Sequence, residues 1–497
     1  MIRPTATFSL SLADAARIVA STSDSSVVFT GISHKDSEVV PGDLFVASPG
    51  ARFHGAEFIQ KAAARGAVAV LTDAQGLDRA GGLPTIIVED VKTASALIAS
   101  HLYTDPTRAL HSIGITGTNG KTTVSTLLYQ IFTAANRTSG LIGTVETRVG
   151  NQVIASVRTT PEAPELQALA ASMREQGAEN LVMEVSSHAI SLKRMKGSHF
   201  AIVGFTNLSQ DHLDFHKDMD SYFAAKAELF TSEYADKGFI NVDSPYGAEL
   251  FAKAPIPSVS ISRDNTAALW RYSKYSSNSH GYTITVQGPD KDLVLTTETQ
   301  LLGGFNLDNL LMAIAIASES GVSAEELIRI VPTLKGAPGR LESVQAGQKF
   351  TALVDYAHSP DAVSNVLRAA KEFTEGRVIA VLGCGGDRDA SKRPLMGRAL
   401  VEGSDISIFT SDNPRSESPT MILAQMSEGI ALTDPSRICE DRASAIKEAV
   451  EIAEPGDTVL ILGKGHESGQ DIAGTITPFD DRLELARAIK EVLGGHK

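Results

Sequence analysis

The sequence contains little of several features that would point to particular classes of protein. Only two of its 497 residues are cysteines, Cys384 and Cys439. These are too few for a disulfide framework, and neither has the CxxC spacing of metal ligands. No apolar run approaches the ~18 residues of a membrane-spanning helix, and no basic stretch followed by an apolar one marks the N-terminus. We therefore expect a protein of the reducing cytoplasm without a membrane span.

Positive charge is also in deficit. The chain has 59 acidic and 45 basic residues, which gives a net charge of -14. A sequence-independent grip on nucleic acid or on an anionic membrane requires a basic surface, so we expect neither partner. Anionic ligands must then be held by local clusters of residues.

Elements of an α/β fold are present along the whole chain. Short β-branched runs alternate with helical patterns, which is typical of βαβ units and parallel sheets. A single core stops growing near about 250–300 residues, so this length indicates three domains. We predict an α/β domain over 1–108, a central α/β domain over 109–338 and a Rossmann-like domain over 339–497. In the first domain, VVFTGIS predicts one strand and the stretch 56–66 a helix.

The strongest chemical signal is the segment GITGTNGKTT at 114–123, between the strand HSIGIT and a helical stretch. Glycines let backbone N–H groups converge on phosphate oxygens, and the helix N-terminus favours negative charge. Lys121 would neutralise phosphate charge and Thr122 would ligate magnesium. The strict GxxxxGK[ST] pattern is not met, because residue 115 is isoleucine. The alternative is a glycine turn with an exposed lysine, but the strand, lysine, threonines and helix together favour a phosphate loop.

Two further polar segments follow buried strands. Glu184 lies in MEVSSH and His212 in NLSQDHLD, each at the end of a strand. The carboxyl ends of parallel strands form the ligand crevice of an open sheet, so both side chains should lie near the phosphate loop. There they would bind magnesium. Taken singly, each could instead be a hydrogen-bonded structural residue.

Eleven motifs in collinear order resemble those of the Mur ligases, most closely the members that extend a UDP-muramoyl dipeptide to a tripeptide. They are GTNGKTT, TTPE, MEVSSHA, TNLSQDHLDFH, YFAAKAELF, GGFNLDN, APGRLE, VDYAHSPD, GCGGDRD, DNPR and GKGHE. The resemblance covers nearly the whole chain. It implies a UDP-binding N-terminal domain, a central ATP-binding domain and a C-terminal domain that binds an amino acid.

The resemblance also implies a reaction. ATP phosphorylates the D-glutamate carboxylate of the UDP-muramoyl dipeptide, and the amine of meso-diaminopimelate then attacks the acyl phosphate. Magnesium is the implied cofactor, with Thr122, Glu184, His212 and a carbamylated Lys226 as its ligands. ATP is assigned to Gly117, Thr118, Asn119, Gly120, Lys121, Thr122, Thr123, Asn306, Asn309, Arg340, Asp355 and His358. We expect a monomer whose partners are these small molecules.

The remaining sites are assigned in the same way. The UDP-muramoyl dipeptide is assigned to Ser33, His54, Thr159, Thr160, Ser186 and Arg194, and diaminopimelate to Arg388, Asp412, Asn413, Pro414, Arg415, Gly463 and Glu467. The family's aspartate-serine-arginine run is replaced by KDSE at 35–38, which puts the uridine contacts in doubt. Diaminopimelate differs from lysine by a second carboxylate, which a guanidinium grips bidentately, so Arg415 favours diaminopimelate.

Three alternatives stay open. The added amino acid could be L-lysine. A folylpolyglutamate synthetase would share the phosphate loop but has no reason for a UDP domain, DNPR or GKGHE. A nucleotide-dependent switch without enzymatic activity would use the loop only to order a binding surface. Metal ligands, an acceptor site and a nucleophile site in one chain favour an enzyme over a switch.

Overall fold

A computed structural model of the chain describes residues 2–50, 53–278, 281–291 and 293–495. They form two compact units: the first consists of Met1–Ser273, Thr285–Leu295 and Asp308–Ile330, and the second of Lys274–Ile284, Thr296–Leu307 and Val331–Lys497. Both units combine sheets with helices, which confirms the α/β class. The borders near 108 and 338 stay predictions. Within the described ranges, no helix is both long and apolar enough to cross a bilayer.

The N-terminal part of the first unit is built on a parallel four-stranded sheet. In spatial order its strands are Gly31–Ser33, Asp43–Ala47, Ala69–Thr72 and Thr85–Ile87. The strand Asp43–Ala47 is buried along its whole length, as expected when helices cover both faces of a parallel sheet. The α-helices of this part are Leu12–Ile18, Ile59–Ala64, Val91–Leu102 and Pro106–Ala109, and its 3-10 helices are Asp36–Glu38, Gly55–Phe58 and Ala74–Arg79.

The prediction of one strand for VVFTGIS was wrong. Val28–Phe29 pairs antiparallel with Leu10–Ser11, whereas Gly31–Ser33 belongs to the parallel sheet. Between them, the N–H of Thr30 donates to the carbonyl of Gly42 at 2.9 Å. This hydrogen bond takes Thr30 out of both ladders, so the run divides.

The helix predicted over 56–66 begins differently from the prediction. Its first turn is the 3-10 helix Gly55–Phe58, and only Ile59–Ala64 is α-helical. The ring Nδ1 of His54 accepts a hydrogen bond from the N–H of Ala56 at 3.0 Å. A side-chain acceptor before the first turn satisfies one of the N–H groups that a helix start leaves without a partner.

The central part of the first unit contains a large, mostly parallel sheet. Its first eight strands, in spatial order, are Gln152–Ala155, Glu146–Val149, Ser139–Ile142, Asn180–Glu184, His111–Thr116, Phe200–Phe205, Ala235–Asn241 and Ser258–Ser262. The strand His111–Thr116 pairs in parallel with Asn180–Glu184 on one side and Phe200–Phe205 on the other. The carboxyl ends of these three strands therefore meet at one edge, where ligand crevices form.

Further along the chain are the strands Trp270–Asn278, Gly281–Gln287 and Val294–Thr299. The α-helices from residue 121 to 330 are Lys121–Ala134, Ala163–Glu175, Ser187–Ser191, Leu213–His216, Met219–Ala227, Pro245–Lys253, Gly304–Glu319 and Ala324–Ile330, with the 3-10 helix Glu228–Phe230. The helix Ala163–Glu175 joins the two parts of the first unit. Its Ala168 and Ala171 share an apolar cluster with Leu44 and Leu71 of the N-terminal sheet.

The second unit has a Rossmann-like sheet. In spatial order its strands are Glu342–Ser343, Thr351–Asp355, Thr458–Leu462, Val378–Cys384, Ile406–Ser411 and Arg437–Ile438. All pairs except the first are parallel. Its helices are the 3-10 turns Val331–Thr333 and Ala390–Lys392 and the α-helices Pro360–Phe373, Arg393–Gly403, Pro419–Met426, Arg442–Glu451 and Asp481–Gly495. A separate hairpin pairs Gly469–Ile472 with Thr475–Pro478.

One buried carboxyl in the first unit gives the fold a pH-dependent element. Burial raises the pKa of Asp308 to about 7, against the attraction of Arg263, and the charge of Asp243 raises this pKa further. The guanidinium of Arg263 lies 3.7 Å from Oδ1 of Asp308. In an unfolded chain an aspartate titrates near ~3.9, so the folded protein binds this proton more tightly. The contribution of Asp308 to stability is therefore lost as pH rises from about 4 through about 7.

Asp308→Asn should remove the free-energy cost of ionising this buried carboxyl. We expect the variant to gain about 2–4 °C in Tm over the wild type at pH 8 and less at pH 5, measured by thermal unfolding at both values. Asp264→Asn is the matched control, because Asp264 also contacts Arg263, at 3.4 Å, but is 65% exposed. An equal gain at both pH values would mean that Asp308 does not carry this proton.

Candidate active site

Two glycines of the phosphate loop have backbone conformations that other residues rarely adopt. Gly117 has φ +147° and Gly120 has φ +86°. A Cβ at Gly117 would collide with Oγ1 of Thr206, and one at Gly120 with Oδ1 of Asn309. The helix Lys121–Ala134 begins directly after this turn. A glycine turn leading into a helix N-terminus is the arrangement that binds phosphate.

Lys121 folds back over this loop. Its Nζ donates to the carbonyls of Gly117 and Thr118, both at 2.9 Å. These contacts place a positive charge on the loop itself. The neighbouring Thr122 and Thr123 are buried in the first turn of the helix.

The end of the adjacent strand supports the loop from one side. The N–H of Asn119 donates to Oδ1 of Asn207 at 3.0 Å, and Nδ2 of Asn207 donates to the carbonyl of Asn119 at 3.2 Å. The hydroxyls of Thr118 and Tyr222 are 3.1 Å apart. Burial raises the pKa of Tyr222 to about 12, against the hydrogen bond with Thr118, so its hydroxyl is neutral. The sequence interpretation did not include Asn207 or Tyr222.

Glu184 is fully buried at the end of its strand and connects two parts of the site. Its carboxylate accepts from the hydroxyl of Thr122 at 3.0 Å, from the N–H of Thr144 at 2.7 Å and from the hydroxyl of Thr144 at 2.9 Å. Sequence reasoning missed Thr144. The available signal was its position just after the buried strand Ser139–Ile142, at the same sheet edge.

The residues assigned to the muramoyl dipeptide continue from Glu184. The hydroxyls of Thr144 and Thr159 are 3.0 Å apart, and because the proton of Thr144 is donated to Glu184, Thr159 is the donor of this pair. The hydroxyl of Thr160 donates to the carbonyl of Glu184 at 2.9 Å and accepts from the N–H of Ser186 at 3.1 Å. Arg194 donates to the carbonyl of Thr160 at 3.2 Å. The structure thus brings Thr159, Thr160, Ser186 and Arg194 together beside the phosphate loop.

Lys226 is buried against the same loop. Its side chain is 1% exposed, and Nζ donates to the carbonyl of Gly117 at 2.8 Å. Burial and the charge of Lys121 hold the pKa of Lys226 well below its usual range, although Asp211 acts in the opposite direction. The lowered pKa favours the neutral form of the amine, and the burial of Lys226 beside the phosphate loop excludes a solvated helix lysine.

His212 follows the strand Phe200–Phe205 by seven residues and is the cap of the short helix Leu213–His216, with φ +53°. Its Nε2 is 3.5 Å from Oδ2 of Asp211, and its side chain is 46% exposed. The ring packs edge-on against that of His188, with centroids 4.8 Å apart. His212 therefore presents an accessible imidazole at the sheet edge that carries the loop.

The N-terminal residues assigned to uridine make contacts within their own loops. The hydroxyl of Ser33 donates to the carbonyl of Lys35 at 2.9 Å. In His54, Nδ1 caps Gly55–Phe58, so the proton is on Nε2, which donates to Asp73 at 3.0 Å. Glu38, which replaces the family's arginine, pairs with Lys35 at 2.7 Å. Both ring nitrogens of His54 are thus occupied by the protein, and its uridine role stays a prediction.

Asn306 and Asn309, assigned to adenine, lie in the first two turns of Gly304–Glu319. In the second unit, the carboxylate of Asp355 accepts from the N–H of Leu341 at 2.7 Å and from that of Ala357 at 2.8 Å. Asp355 is buried, which raises its pKa. It thereby holds the backbone next to Arg340, the predicted phosphate contact.

The guanidinium of Arg340 lies 4.8 Å over the ring of Tyr356. Its Nε is buried and has no hydrogen-bond partner in the described part of the chain. His358 is exposed and contacts the carbonyl of Tyr356 through Nδ1 at 2.7 Å. An unpaired buried donor such as this Nε is costly unless a ligand accepts from it.

The residues assigned to the amino acid converge in the second unit. Nδ2 of Asn413 donates to Oε2 of Glu467 at 2.8 Å, and the N–H of Asn413 donates to Oδ1 of Asp412 at 2.7 Å. Gly463 has φ +112°, and a Cβ there would approach Oδ2 of Asp412. The loops after Ile406–Ser411 and Thr458–Leu462, the two strands on either side of Val378–Cys384, are thus in direct contact.

Arg415 has φ +52°, and its Nη1 donates to the carbonyl of Gly386 at 2.6 Å. Its backbone N–H donates to the carbonyl of Asp471 at 3.0 Å. The carbonyl of Pro414 also faces Gly386. Arg388 is exposed in the same loop. The guanidinium groups of Arg388 and Arg415 and the carboxylates of Asp412 and Glu467 therefore belong to one cluster of loops, which suits a ligand with both charges.

Comparison with known proteins extends over nearly the whole chain. Residues 28–103 match the Mur ligase family, catalytic domain; residues 115–317 match the Mur ligase middle domain; and residues 339–465 match the Mur ligase, glutamate ligase domain. A relative from Streptomyces coelicolor, UDP-N-acetylmuramoyl-L-alanyl-D-glutamate–2,6-diaminopimelate ligase, is 48% identical over 99% of this chain and 98% of its own.

Solved structures agree with these matches. A structure of a UDP-N-acetylmuramoyl-L-alanyl-D-glutamate–2,6-diaminopimelate ligase has a TM-score of 0.70 and 32% identity over 94% of this chain and 96% of its own. The MurF ligase of Thermotoga maritima in complex with ADP has a TM-score of 0.65 at 18% identity, over 94% of this chain and 98% of its own. At 18% identity, the similarity to the MurF ligase shows a shared fold alone.

Proposed function

The chain belongs to the Mur ligase family, and we propose that it is the ATP-dependent ligase that joins 2,6-diaminopimelate to UDP-N-acetylmuramoyl-L-alanyl-D-glutamate in peptidoglycan precursor synthesis. We propose that the amino acid is the meso stereoisomer. We also propose that the enzyme is a monomer and acts in the cytoplasm. A folylpolyglutamate synthetase and a non-enzymatic switch are set aside, because the high-identity relative is an amide-forming ligase of this substrate.

The main support for phosphoryl transfer in this site is a chain of hydrogen bonds through Glu184. The buried carboxylate of Glu184 accepts from Thr122 at the phosphate loop and from Thr144, which in turn contacts Thr159 on the acceptor side. The proposed sites for the γ-phosphate and for the acceptor peptide are therefore neighbours, linked through the side chains of Glu184 and Thr144. Such proximity favours phosphoryl transfer from ATP to a bound carboxylate.

The residues present also fit a hard cation. The hydroxyl of Thr122 and the carboxylate of Glu184 are oxygen donors 3.0 Å apart at the phosphate loop, and magnesium prefers such ligands. We propose that these two residues and His212 hold the ion. When bound, magnesium would supply positive charge to the γ-phosphate and the acceptor carboxylate.

The residues then act in two steps. Lys121 and the loop hold the ATP phosphates while a carboxylate oxygen of the acceptor attacks the γ-phosphorus, and the bond to ADP breaks. Thr159, Thr160 and Arg194 hold the acceptor during this attack. The amine of diaminopimelate then attacks the acyl carbon. A C–N bond forms, phosphate leaves with the electron pair of the C–O bond, and the amine loses a proton.

The experiment that tests this function is ADP release with UDP-N-acetylmuramoyl-L-alanyl-D-glutamate and one amino acid at a time. We expect release with meso-diaminopimelate and little with L-lysine or with no amino acid. The same assay with a folate in place of the muramoyl dipeptide should give none. Release that does not depend on the muramoyl dipeptide would contradict the proposal.

Lys226 is proposed to act as its carbamate. A neutral amine adds to CO2 and forms an N-bound carboxylate with release of a proton, and the lowered pKa of Lys226 favours the neutral form that this step requires. The carbamate would be an anionic oxygen ligand beside the loop. The contact of Nζ with Gly117 shows that the side chain reaches this position.

Lys226→Ala should therefore reduce kcat by about 100-fold or more, and added short carboxylic acids such as acetate should restore part of it. The measurement is ADP release over a range of acetate concentrations. Lys253→Ala is the control, because Lys253 is a helix lysine that is 73% exposed. Wild-type activity in Lys226→Ala would show that the residue has no such role.

A further inference from the structure

A fully buried lysine lies between two residues of the proposed amino-acid site. The side chain of Lys464 is 0% exposed. Its Nζ donates to Oδ1 of Asn413 at 3.0 Å, to Oε2 of Glu467 at 3.3 Å and to the carbonyl of Gly469 at 2.7 Å. An ammonium has three donors, so all of them are used inside the protein.

These contacts determine which way the amide of Asn413 points. Its Oδ1 accepts from Lys464 and also from the N–H of Asp471 at 3.0 Å. Its Nδ2 then faces Oε2 of Glu467 at 2.8 Å. The reverse orientation would place the NH2 group against the ammonium and the N–H of Asp471, and Oδ1 against the carboxylate of Glu467. Lys464 is therefore the charged donor that orients the Asn413 amide, together with the N–H of Asp471 and the carboxylate of Glu467.

The same ammonium fixes the carboxylate of Glu467. The hydrogen bonds from Asn413 and from Lys464 to this carboxylate both end on Oε2. Glu467 is 34% exposed, and these two partners leave its Oε1 unused. One buried cation thus sets the direction of both the amide and the carboxylate.

Stability alone gives no reason for a cation at this position. Burying an ammonium costs free energy, and buried ion pairs are often no more stabilising than apolar residues of the same size. The contacts of Lys464 are instead concentrated on Asn413 and Glu467. The geometry points to a role in holding these two side chains for a ligand.

We infer that Lys464 is a positioning residue for the amino-acid substrate. It orients Asn413 and Glu467 toward the end of diaminopimelate that does not react. The inference rests on the proposed function, in which these two residues bind that end. Lys464 also balances the negative charge of Glu467. Without Lys464, the negative charge of Glu467 would favour a substrate whose unreactive end carries an ammonium and no carboxylate. Lysine has such an end.

The test compares Lys464→Met with the wild type at saturating ATP and UDP-muramoyl dipeptide. We expect kcat/KM for diaminopimelate to fall by about 10- to 100-fold, mainly through KM. The KM values of the other two substrates should stay within twofold. The residual rate with L-lysine should fall less, so the preference for diaminopimelate narrows. A purely structural role would not change this preference.

Two further variants serve as a control and as a replacement for Lys464→Met. Lys447→Met is the matched control, because Lys447 belongs to the same unit and is 50% exposed; it should leave every KM unchanged. If Lys464→Met does not fold, Lys464→Gln keeps a polar group, but its shorter side chain cannot reach Asn413 and Glu467 together, so the same rise in KM is expected.

A double-mutant cycle with Asn413→Ala identifies the route. If Lys464 acts through Asn413, the double variant should be little worse than Asn413→Ala alone. Fully additive effects, or an unchanged diaminopimelate KM in folded Lys464→Met, would overturn the inference. If Asn413→Ala raises this KM while Lys464→Met does not, only the role of Lys464 is wrong. If neither variant raises it, the proposed amino-acid site itself is wrong.

Discussion

Replacing Lys121 with alanine is expected to reduce turnover by about 10³-fold or more while leaving the fold intact. The ammonium donates to the carbonyls of Gly117 and Thr118, both in the loop. Its removal takes positive charge away from the phosphates at the moment of transfer. In phosphoryl transfer most of the catalysis comes from positioning and charge, so the loss should appear mainly in kcat.

The measurement is ADP release at saturating substrates, together with circular dichroism and thermal unfolding of the variant. Lys237→Ala is the matched control. Lys237 lies in the same unit, is 33% exposed and pairs with Glu319 at 2.6 Å. Near-normal ADP formation by folded Lys121→Ala would contradict the assignment of the loop to ATP.

The second large effect concerns the choice of amino acid. If Arg415 binds the distal carboxylate of diaminopimelate, lysine lacks that carboxylate and would leave the guanidinium without an ion-pair partner. A site built for a polar group can reject an analogue that lacks it by about 10⁴-fold. We expect the wild type to discriminate against L-lysine to this degree in kcat/KM.

Arg415→Ala should then depress kcat/KM for diaminopimelate far more than the residual rate with lysine, because only diaminopimelate loses a charge-assisted pair. The KM of ATP should not change. Arg437→Ala is the control, since Arg437 is 40% exposed in the same unit. A wild type that prefers lysine, or an equal loss for both amino acids, would mean that Arg415 does not determine specificity.

The sequence by itself determined the α/β class and the family, and it predicted the phosphate loop. These features are local: a strand, a glycine turn and a helix are adjacent in the chain, and each parallel strand ends at the same edge. The sequence alone places Glu184 beside the loop, because its strand precedes polar residues at that edge. The run VVFTGIS shows the limit of this reasoning, since the strand is divided by a hydrogen bond from Thr30 to Gly42, twelve residues away.

Only the tertiary structure decided which side chains touch and how deeply they are buried. Lys226 and Gly117 are 109 residues apart in the chain, and no periodicity predicts their contact or the low pKa that burial gives the amine. Thr144 meets Glu184 across 40 residues, and Lys464 meets Asn413 across 51. A residue's chemistry can be read from its type and neighbours in the chain. Its charge state and orientation depend on desolvation and on partners that the fold brings together from distant segments.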